Sequence, residues 1–283
     1  MRHVKKIECC RSCEGTDLTT VFDIGELKIN AFMAEPNTDV GSAPLTLVHC
    51  ADCDLIQLEH TVREQELYEN YWYLSRLNKK IVDNLQSIVY DVNELVDIEQ
   101  GDIVVDIGAN DGTLLSFWDS DQVIRVGCDP AQNIHAELEQ HTDVLIGDFF
   151  THENWLKHVG DRKAKVVTTV AMFYDLDNPN QFVEDIKSIL ADDGVWLCQL
   201  MTAAPMLRTN DIGNVIHEHI EYYSYISLMN LMERHGLEIF EVRENDINGG
   251  SYQLFIRQQQ GPSIVYPEDI STETINQWAA NIE

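Results

Sequence analysis

The chain has 283 residues, of which 44% are hydrophobic and 24% are charged, a composition typical of a folded protein of about two domains. Its net charge of −29 excludes the usual nucleic-acid-binding proteins, because these need a basic surface that displaces phosphate counterions. No apolar run approaches the roughly 20 residues of a membrane span, and residues 1–10 are not followed by the apolar region of a secretory signal. We therefore expect a cytoplasmic protein with no nucleic-acid partner and no membrane partner.

The excess of acidic residues has two interpretations. The one we favour is a solvated surface that aids solubility or suits a salty environment. The other is an acidic patch that docks a partner protein. In either case an anionic substrate would need Arg or Lys side chains placed locally to receive it.

Five of the seven cysteines lie in the first 53 residues, and four of them form two C-x-x-C knuckles, Cys10 with Cys13 and Cys50 with Cys53. Such knuckles suit a tetrahedral metal ion, although the 36 residues between them would have to loop out. Disulfides or free thiols are the alternative, which the absence of a signal peptide disfavours. The pattern predicts a structural Zn(II) site with no open coordination position, with Cys9 as a spare that could compete with Cys10.

Two helices are predicted next, over residues 62–75 and 76–96, from apolar side chains at spacings of three and four. The first contains a dense aromatic cluster, Tyr68, Tyr71, Trp72 and Tyr73. This cluster could belong to a helix packed between two domains, or it could form an aromatic wall over a substrate, since ligand sites favour such linings.

Residues 103–118 predict a strand, a glycine-rich turn and a helix, which is the first unit of a doubly wound α/β sheet. The turn lacks both common phosphate-binding signatures, G-x-G-x-x-G and G-x-x-x-x-G-K-[ST]. Its acidic side chains would repel a pyrophosphate, whereas they suit a cationic or zwitterionic adenosyl ligand. The candidate cofactor-binding residues here are Asp106, Gly108, Asn110, Asp111 and Gly112.

Further βα repeats follow in the order that such a sheet requires. Asp129 and Pro130 end the second strand, where a carboxylate holds the ribose hydroxyls in these folds. Asp148 and Phe149 form an acidic-aromatic turn that could clamp an adenine, and Met172 follows the fourth strand. The predicted strands are 123–128, 144–146, 165–170 and 194–200, with a helix over 181–190.

At this point the sequence resembles class I S-adenosylmethionine-dependent methyltransferases, and more narrowly the zinc-containing C-methyltransferases that act on nucleotide-linked deoxysugars. The resemblance spans nearly the whole chain. It is carried by CRSC, CADC, ENYWYLS, VVDIGANDGTLL, GCDPAQN, AMFYDLDNPNQFVEDI, VIHEHIEYYSYISL and NGGSYQLFI. It implies an α/β fold with a Rossmann-like class I methyltransferase core and a small N-terminal zinc-binding domain, with S-adenosylmethionine and structural Zn(II) as cofactors.

The resemblance also sets the expected domain boundaries. They are a zinc-binding domain over 1–65, a helical linker contributing to the substrate cleft over 66–98, a methyltransferase domain over 99–262, and a C-terminal tail over 263–283. Related enzymes usually continue into a further C-terminal α/β region, so we expect either a shortened member or a truncated chain.

The His-Glu-His run at residues 217–219 is the predicted catalytic segment. It is not H-E-x-x-H, so a zincin site is excluded. Methylation of a carbon beside a ketone needs a base for the C–H proton and a donor for the enolate oxygen. We assign His219 as base, with Glu218 or His217 as its partner and Tyr222 and Tyr73 as hydrogen-bond donors. The alternative is a polar strand end with structural histidines.

Substrate-binding candidates are Tyr71, Arg76, Lys79, Asn248 and Ser251. Arg76 and Lys79, with Lys80, are the basic cluster that could receive a diphosphate, and Arg208 competes with them. Asn248 and Ser251 belong to an Asn-Gly-Gly-Ser run that the resemblance places at the active-site cleft, although Asn-Gly is also a strong hairpin-turn signal.

Two positions depart from the family pattern, Ile216 where some members carry Tyr, and the Ser75–Asn78 segment where a more Ser-rich run is expected. The sugar and the methylated atom therefore stay open. The sequence predicts a C-methyltransferase acting on a nucleotide-linked keto-deoxysugar through a base-generated enolate, as a monomer or homodimer. The alternatives are a sugar O-methyltransferase and a zinc-ribbon adaptor with a vestigial methyltransferase core.

Overall fold

The computed structural model of the protein describes residues 4–29, 41–63, 67–68, 71–268 and 270–282. The strands are β1 (Val4–Lys6), β2 (Leu18–Lys28), β3 (Ser42–Cys50), β4 (Ile56–Leu58), β5 (His60–Val62), β6 (Ile103–Ile107), β7 (Ile124–Cys128), β8 (Val144–Ile146), β9 (Ala164–Val170), β10 (Leu190–Met201), β11 (Glu221–Tyr222), β12 (Leu237–Asn245) and β13 (Ser251–Gln258). The α-helices are α1 (Lys79–Leu95), α2 (His135–Leu138), α3 (His152–His158), α4 (Pro179–Ile189), α5 (Ala203–Thr209), α6 (Tyr225–Arg234) and α7 (Thr272–Ile282).

The central sheet has seven strands in the order β12-β13-β10-β9-β6-β7-β8. Strands β6 to β10 are parallel, while β13 and β12 add an antiparallel edge. All five residues of β6 are buried, as expected of a strand covered on both faces. The direction of strand addition reverses between β6 and β9, so the carboxyl ends of these two strands border the crevice where such sheets bind ligands.

Two smaller antiparallel sheets form the N-terminal region. β1 pairs with β5, and the other sheet has the order β11-β4-β3-β2. β11 comes from far along the chain, and its Glu221 and Tyr222 pair with Gln57 and Ile56 of β4. The segment that follows the His-Glu-His run therefore completes the N-terminal sheet.

One buried apolar cluster joins the N-terminal region to the central sheet. Phe22 and Leu47 of the N-terminal sheet belong to the same cluster as Val105 and Trp196 of the central sheet. Because burial of one large apolar side chain contributes about 1.5–3 kcal/mol, this shared core holds the two parts together. No helix within the described ranges is long and apolar enough to cross a membrane.

The predicted helix over 76–96 corresponds to α1. It begins after Asn78, whose Oδ1 accepts the backbone N–H of Lys80 at 3.0 Å. The predicted helix over 113–118 is shorter than expected, because only Leu115–Phe117 form a 3₁₀ turn. Trp118 is already extended and buries its indole in the core.

The predicted helix over 62–75 is wrong at both ends. Residue 62 lies in β5, and residues 71–74 are irregular; residues 64–66 and 69–70 lie outside the described part of the chain. Side chains from the central part of the molecule, buried Asn110 and exposed Asn133, bond to this backbone in place of helical hydrogen bonds. The Tyr71 N–H donates to Asn133 Oδ1 at 2.9 Å, and Asn110 Nδ2 donates to the Tyr73 carbonyl at 2.9 Å.

Candidate active site and metal centre

Four cysteines converge in the N-terminal region. Their Sγ atoms all lie within 4.8 Å of one another, with 3.6 Å between those of Cys10 and Cys53 and 3.5 Å between those of Cys13 and Cys50. A tetrahedral zinc ion with Zn–S bonds of about 2.3 Å needs sulfur separations of about 3.8 Å. The set therefore fits zinc, and Cys9 is exposed outside it.

Neighbouring N–H groups favour thiolates at this cluster. Gln57 Nε2 donates to Cys10 Sγ at 3.1 Å, and the Gly15 N–H donates to Cys13 Sγ at 3.4 Å. The hydrogen bond between the sulfur atoms of Cys10 and Cys53 lowers the pKa of Cys10 and raises that of Cys53, so Cys10 is the thiolate of this pair. Such bonds stabilise sulfur charge in metal sites, and four cysteine ligands leave no open position for a substrate.

The first knuckle is bonded to the central part of the molecule. Buried Arg11 donates from Nε to Asp177 Oδ1 at 3.3 Å. Asn180 of α4 donates from Nδ2 to the carbonyls of Arg11 and Ser12, both at 2.8 Å. Arg234, the last residue of α6, donates to the Ser12 carbonyl at 2.8 Å. The metal centre is thus held by hydrogen bonds to helices α4 and α6.

A cavity of about 300 Å³ lies at the carboxyl ends of β6 and β7, and we call it the Asp129 cavity. The predicted cofactor-binding residues that line it are Gly108, Asp129, Pro130, Phe149 and Met172. It is also lined by Tyr68, Tyr71, Asp175, Asp177, Gln181 and Asp185. An apolar and acidic lining of this kind suits a nucleoside with a cationic substituent.

Asp129 is held in place by the backbone. Its Oδ2 accepts the Asn110 N–H and its Oδ1 accepts the Ala131 N–H, both at 2.9 Å. Each oxygen keeps a second lone pair that can accept a ribose hydroxyl. Gly108 has a φ of +74°, which other residues rarely adopt, and a Cβ there would lie 3.1 Å from Met172 Cγ, so the Met172 side chain would have to shift. These residues fit an adenosyl cofactor.

A second cavity of about 370 Å³ adjoins the first, and we call it the His219 cavity. The two share Tyr71, Gly108 and Asp175 as lining residues. The predicted site residues lining the His219 cavity are Tyr71, Tyr73, Asp106, Gly108, Asn110, Glu218, His219 and Asn248. The structure therefore brings the glycine turn, the aromatic segment and the His-Glu-His run to one place.

His219 is oriented by the backbone. Its Nδ1 lies 3.0 Å from the Asn214 carbonyl oxygen, which can only accept, so Nδ1 carries the proton and Nε2 keeps a lone pair. The ring also packs edge-on against Tyr174, with 4.6 Å between ring centroids. Burial lowers the pKa of His219 to about 4, so the imidazole is neutral at physiological pH.

Two carboxyl groups in the His219 cavity are desolvated. Burial raises the pKa of Glu218 to about 7. Burial also raises the pKa of Asp106 to about 7, against the opposing hydrogen bond from Thr168 Oγ1 at 2.6 Å. Both therefore change charge near neutral pH, which is common for functional sites.

Several predicted residues line neither cavity. His217 is buried with Nε2 3.1 Å from the Ala43 carbonyl oxygen. The Tyr222 hydroxyl donates to the His219 carbonyl at 2.8 Å, and the Ser251 hydroxyl donates to the Ile247 carbonyl at 2.8 Å. These three side chains support the loops around the site instead of facing it.

The predicted diphosphate cluster already has acidic partners. Arg76 pairs with Asp111 at 3.4 Å and with Glu137 at 3.0 Å, and Lys79 pairs with Asp83 at 2.6 Å. Lys80 pairs with Asp246 at 2.9 Å. Neither Arg76 nor Lys79 lines the Asp129 cavity or the His219 cavity.

Three predicted cofactor-binding residues act within the turns themselves. Asp111 accepts the Thr113 hydroxyl at 2.6 Å, and Gly112 packs against His141. Asp148 accepts its neighbour's N–H, that of Phe149, at 2.7 Å. None of the three lines the Asp129 cavity or the His219 cavity.

Sequence reasoning missed several lining residues of the His219 cavity. Gln199 was detectable, because it is a polar residue inside the apolar run of β10. Tyr174 lies in AMFYDLDNPNQFVEDI, one of the segments that carry the resemblance, but was not assigned a role; Asn84 and Asn214 gave no signal, since helical or loop positions with asparagine are common.

A family model described as “Methyltransferase domain” matches residues 73–242. The chain belongs to this methyltransferase family. A second family model, described as “Putative zinc binding domain”, matches residues 10–68. The chain therefore combines a methyltransferase domain with an N-terminal cysteine cluster that the zinc-binding family model covers. The predicted α/β fold class and the two predicted cofactors are confirmed.

One curated relative of this methyltransferase is the C-methyltransferase NovU from Streptomyces niveus, 27% identical over 257 residues. The match covers 89% of the present chain and 61% of the relative, so the chain spans about three fifths of that protein. Among solved structures, mitomycin 7-O-methyltransferase MmcR is 15% identical, covering 64% of this chain and 55% of that one, with a TM-score of 0.49. Magnesium protoporphyrin IX methyltransferase from Synechocystis PCC 6803, solved with S-adenosylmethionine, is 11% identical, covering 63% and 79%, with a TM-score of 0.45.

Proposed function

We propose that this methyltransferase transfers a methyl group to the carbon beside the ketone of a nucleotide-linked keto-deoxysugar. The observation that carries the proposal is the neutral His219, whose lone pair on Nε2 belongs to a ring lining the cavity that adjoins the cofactor residues. The match to a C-methyltransferase over 89% of the chain supports carbon as the acceptor.

Each of the two cavities binds one of the two reactants. The Asp129 cavity holds the adenosyl part of the cofactor, and the His219 cavity holds the sugar. Bound S-adenosylmethionine supplies an electrophilic methyl group on a sulfonium. Asp106 and Glu218 line the same cavity as Gly108, and their ionised forms attract that positive charge.

His219 acts as the general base. Nε2 accepts the proton of the carbon beside the ketone, and the electron pair moves into the enolate. The new carbon–carbon bond then forms as the methyl–sulfur bond breaks, and His219 releases its proton to solvent. The hydrogen bond from Nδ1 to the Asn214 carbonyl fixes the tautomer throughout.

The test is the variant His219→Asn, assayed with S-adenosylmethionine and a panel of nucleotide 4-keto-deoxysugars, with products identified by mass and NMR. We expect turnover to be lost while the affinity for S-adenosylhomocysteine is kept, because His219 lines only the His219 cavity. His158→Asn, on the exposed side of α3, is the matched control and should retain full turnover.

Two results would contradict the proposal. Near-normal turnover by His219→Asn would remove the histidine from the reaction. A methyl group on oxygen instead of carbon would keep the cofactor and favour sugar O-methylation, in which the same base deprotonates a hydroxyl.

A further inference from the structure

Four side-chain amides form a connected group beside the His219 cavity, and we call it the amide relay: Asn84 of α1, Gln199 of β10, Asn245 of β12 and Gln253 of β13. Gln199 and Gln253 face each other across the β10–β13 ladder. Asn84 and Gln199 line the cavity, whereas the other two do not. All of the chemistry assigned above leaves this group unused.

A single backbone N–H fixes the direction of every bond in the relay. The Ile247 N–H donates to Asn245 Oδ1 at 3.0 Å, so Asn245 Nδ2 must be the donor on its other side. Asn245 Nδ2 donates to Gln199 Oε1 at 3.0 Å and to Asn84 Oδ1 at 3.5 Å.

Gln253 adds a second hydrogen bond with the same direction. Its Nε2 also donates to Gln199 Oε1, at 2.9 Å, so the oxygen of Gln199 accepts two hydrogen bonds. The side-chain oxygens of Asn84 and Gln199 thus already accept hydrogen bonds from other relay residues and do not serve as acceptors for a ligand.

The two remaining NH₂ groups have no acceptor among the described residues. Asn84 Nδ2 is buried without a hydrogen-bond partner, and Gln199 Nε2 makes no hydrogen bond to another described side chain or backbone group. A buried donor without an acceptor, such as Asn84 Nδ2, is rare in native proteins and calls for an explanation. Because Asn84 and Gln199 both line the His219 cavity, a ligand oxygen there would supply the missing acceptor.

The surroundings select the kind of oxygen. The charged groups lining this cavity are Asp106, Asp175 and Glu218, and no described Lys or Arg lines it. An oxygen that gains negative charge here therefore has no Lys or Arg among the described lining residues to stabilise it, which leaves that role to neutral N–H or O–H donors. Pre-oriented neutral donors of this type lower the energy of a developing oxyanion.

We propose that Asn84 and Gln199 donate to the ketone oxygen of the acceptor and stabilise the enolate that His219 generates. The inference rests on the proposed function, since it needs an acceptor with a ketone. It assigns specificity as well, because an acceptor with a hydroxyl in place of the ketone would not develop charge at that oxygen.

The test uses Gln199→Glu and Asn84→Asp, which keep the inner oxygen acceptor and replace the remaining NH₂ donor by the second oxygen of a carboxyl group. Enolate formation is measured without methyl transfer, as deuterium exchange from D₂O into a nucleoside-diphosphate 4-keto-6-deoxysugar, in the presence of S-adenosylhomocysteine. The exchanged proton passes to His219 and a deuteron returns to the same carbon. We expect each variant to slow exchange on the order of 10²-fold, the size of effect seen when one oxyanion donor is removed.

Gln86→Glu, the same change outside the cavity on α1, is the matched control and should exchange at the wild-type rate. The affinity for S-adenosylhomocysteine should not change in either relay variant. A loss of that affinity would overturn the proposal and assign the donors to the cofactor carboxylate. If both variants exchange at the wild-type rate, the role of Asn84 and Gln199 is overturned and the proposed function stands. If the wild-type protein exchanges no deuterium into any 4-keto sugar, both the proposed function and the role of the amide relay are overturned.

Discussion

At the scale of one residue, Asp106 shows how burial of a carboxyl group lowers the stability of the fold. Its pKa is raised to about 7 by burial, whereas the unfolded chain ionises near 3.8. At pH values between these two pKa values, the carboxyl group of Asp106 is ionised in the unfolded chain but stays protonated in the native protein. The free energy of unfolding of the cofactor-free protein must therefore fall as the pH rises from about 4 to 7.

The variant Asp106→Asn removes this penalty and keeps an oxygen that can accept the Thr168 hydroxyl. The difference in the free energy of unfolding between Asp106→Asn and wild type should grow by roughly 2–3 kcal/mol, in favour of the variant, when the pH rises from 5 to 8. Urea denaturation at both pH values measures the gain, and the exposed Asp121→Asn is the control. Parallel pH dependences for Asp106→Asn and wild type would show that Asp106 ionises normally.

Individual residues were predictable from sequence where the chain order alone determines their place. Gly108 and Asp129 directly follow β6 and β7, so parallel-strand topology brings both to the cofactor end of the sheet. The pairing of Arg76 with Asp111 and Glu137 was not predictable, because it joins segments whose approach depends on tertiary packing. The open amides of Asn84 and Gln199 likewise exist only because Asn245 arrives from another strand.

At the scale of elements, the contact between the zinc knuckle and α4 has a measurable consequence. Asn180→Ala would leave the carbonyls of Arg11 and Ser12 without two of their donors. We expect a loss of about 1–3 kcal/mol in the free energy of unfolding. We also expect zinc to be released at lower chelator concentration, although Asn180 contacts no metal ligand.

Urea denaturation and a chelator titration measure the two effects. Gln140→Ala, an exposed amide at the end of α2, is the control and should change neither. If Asn180→Ala is destabilised but retains zinc as well as wild type, the contact with α4 does not contribute to metal retention.

Elements with a regular apolar pattern were predicted well, and the aromatic segment was not. α1 buries one stripe, Leu85, Ile88, Val89 and Val92, and the spacing alone predicts it. The tyrosines after residue 67 share the same spacing, but Tyr71 and Tyr73 contribute to cavity walls and their backbone bonds to Asn110 and Asn133. Periodicity cannot distinguish a helix face from a cavity wall.

At the scale of the whole molecule, the net charge of −29 must act on stability. One-to-one pairing of 48 acidic residues with 19 Lys and Arg leaves 29 acidic side chains over. Their mutual repulsion destabilises the folded state, and salt weakens it as the Debye length falls from about 10 Å at 0.1 M to about 3 Å at 1 M. The ion pairs of this protein are mostly at the surface, where each contributes about 0–1 kcal/mol, so repulsion outweighs them.

The melting temperature should therefore rise between 0.1 M and 1 M KCl, with chloride chosen because sulfate would itself strengthen apolar burial. The rise should be larger at pH 8 than at pH 5, since the net charge shrinks toward the isoelectric point near 4.4. Thermal denaturation at the four conditions measures both. Equal rises at the two pH values would assign the effect to apolar hydration, and a fall would mean that the ion pairs dominate the balance of charges in the folded protein.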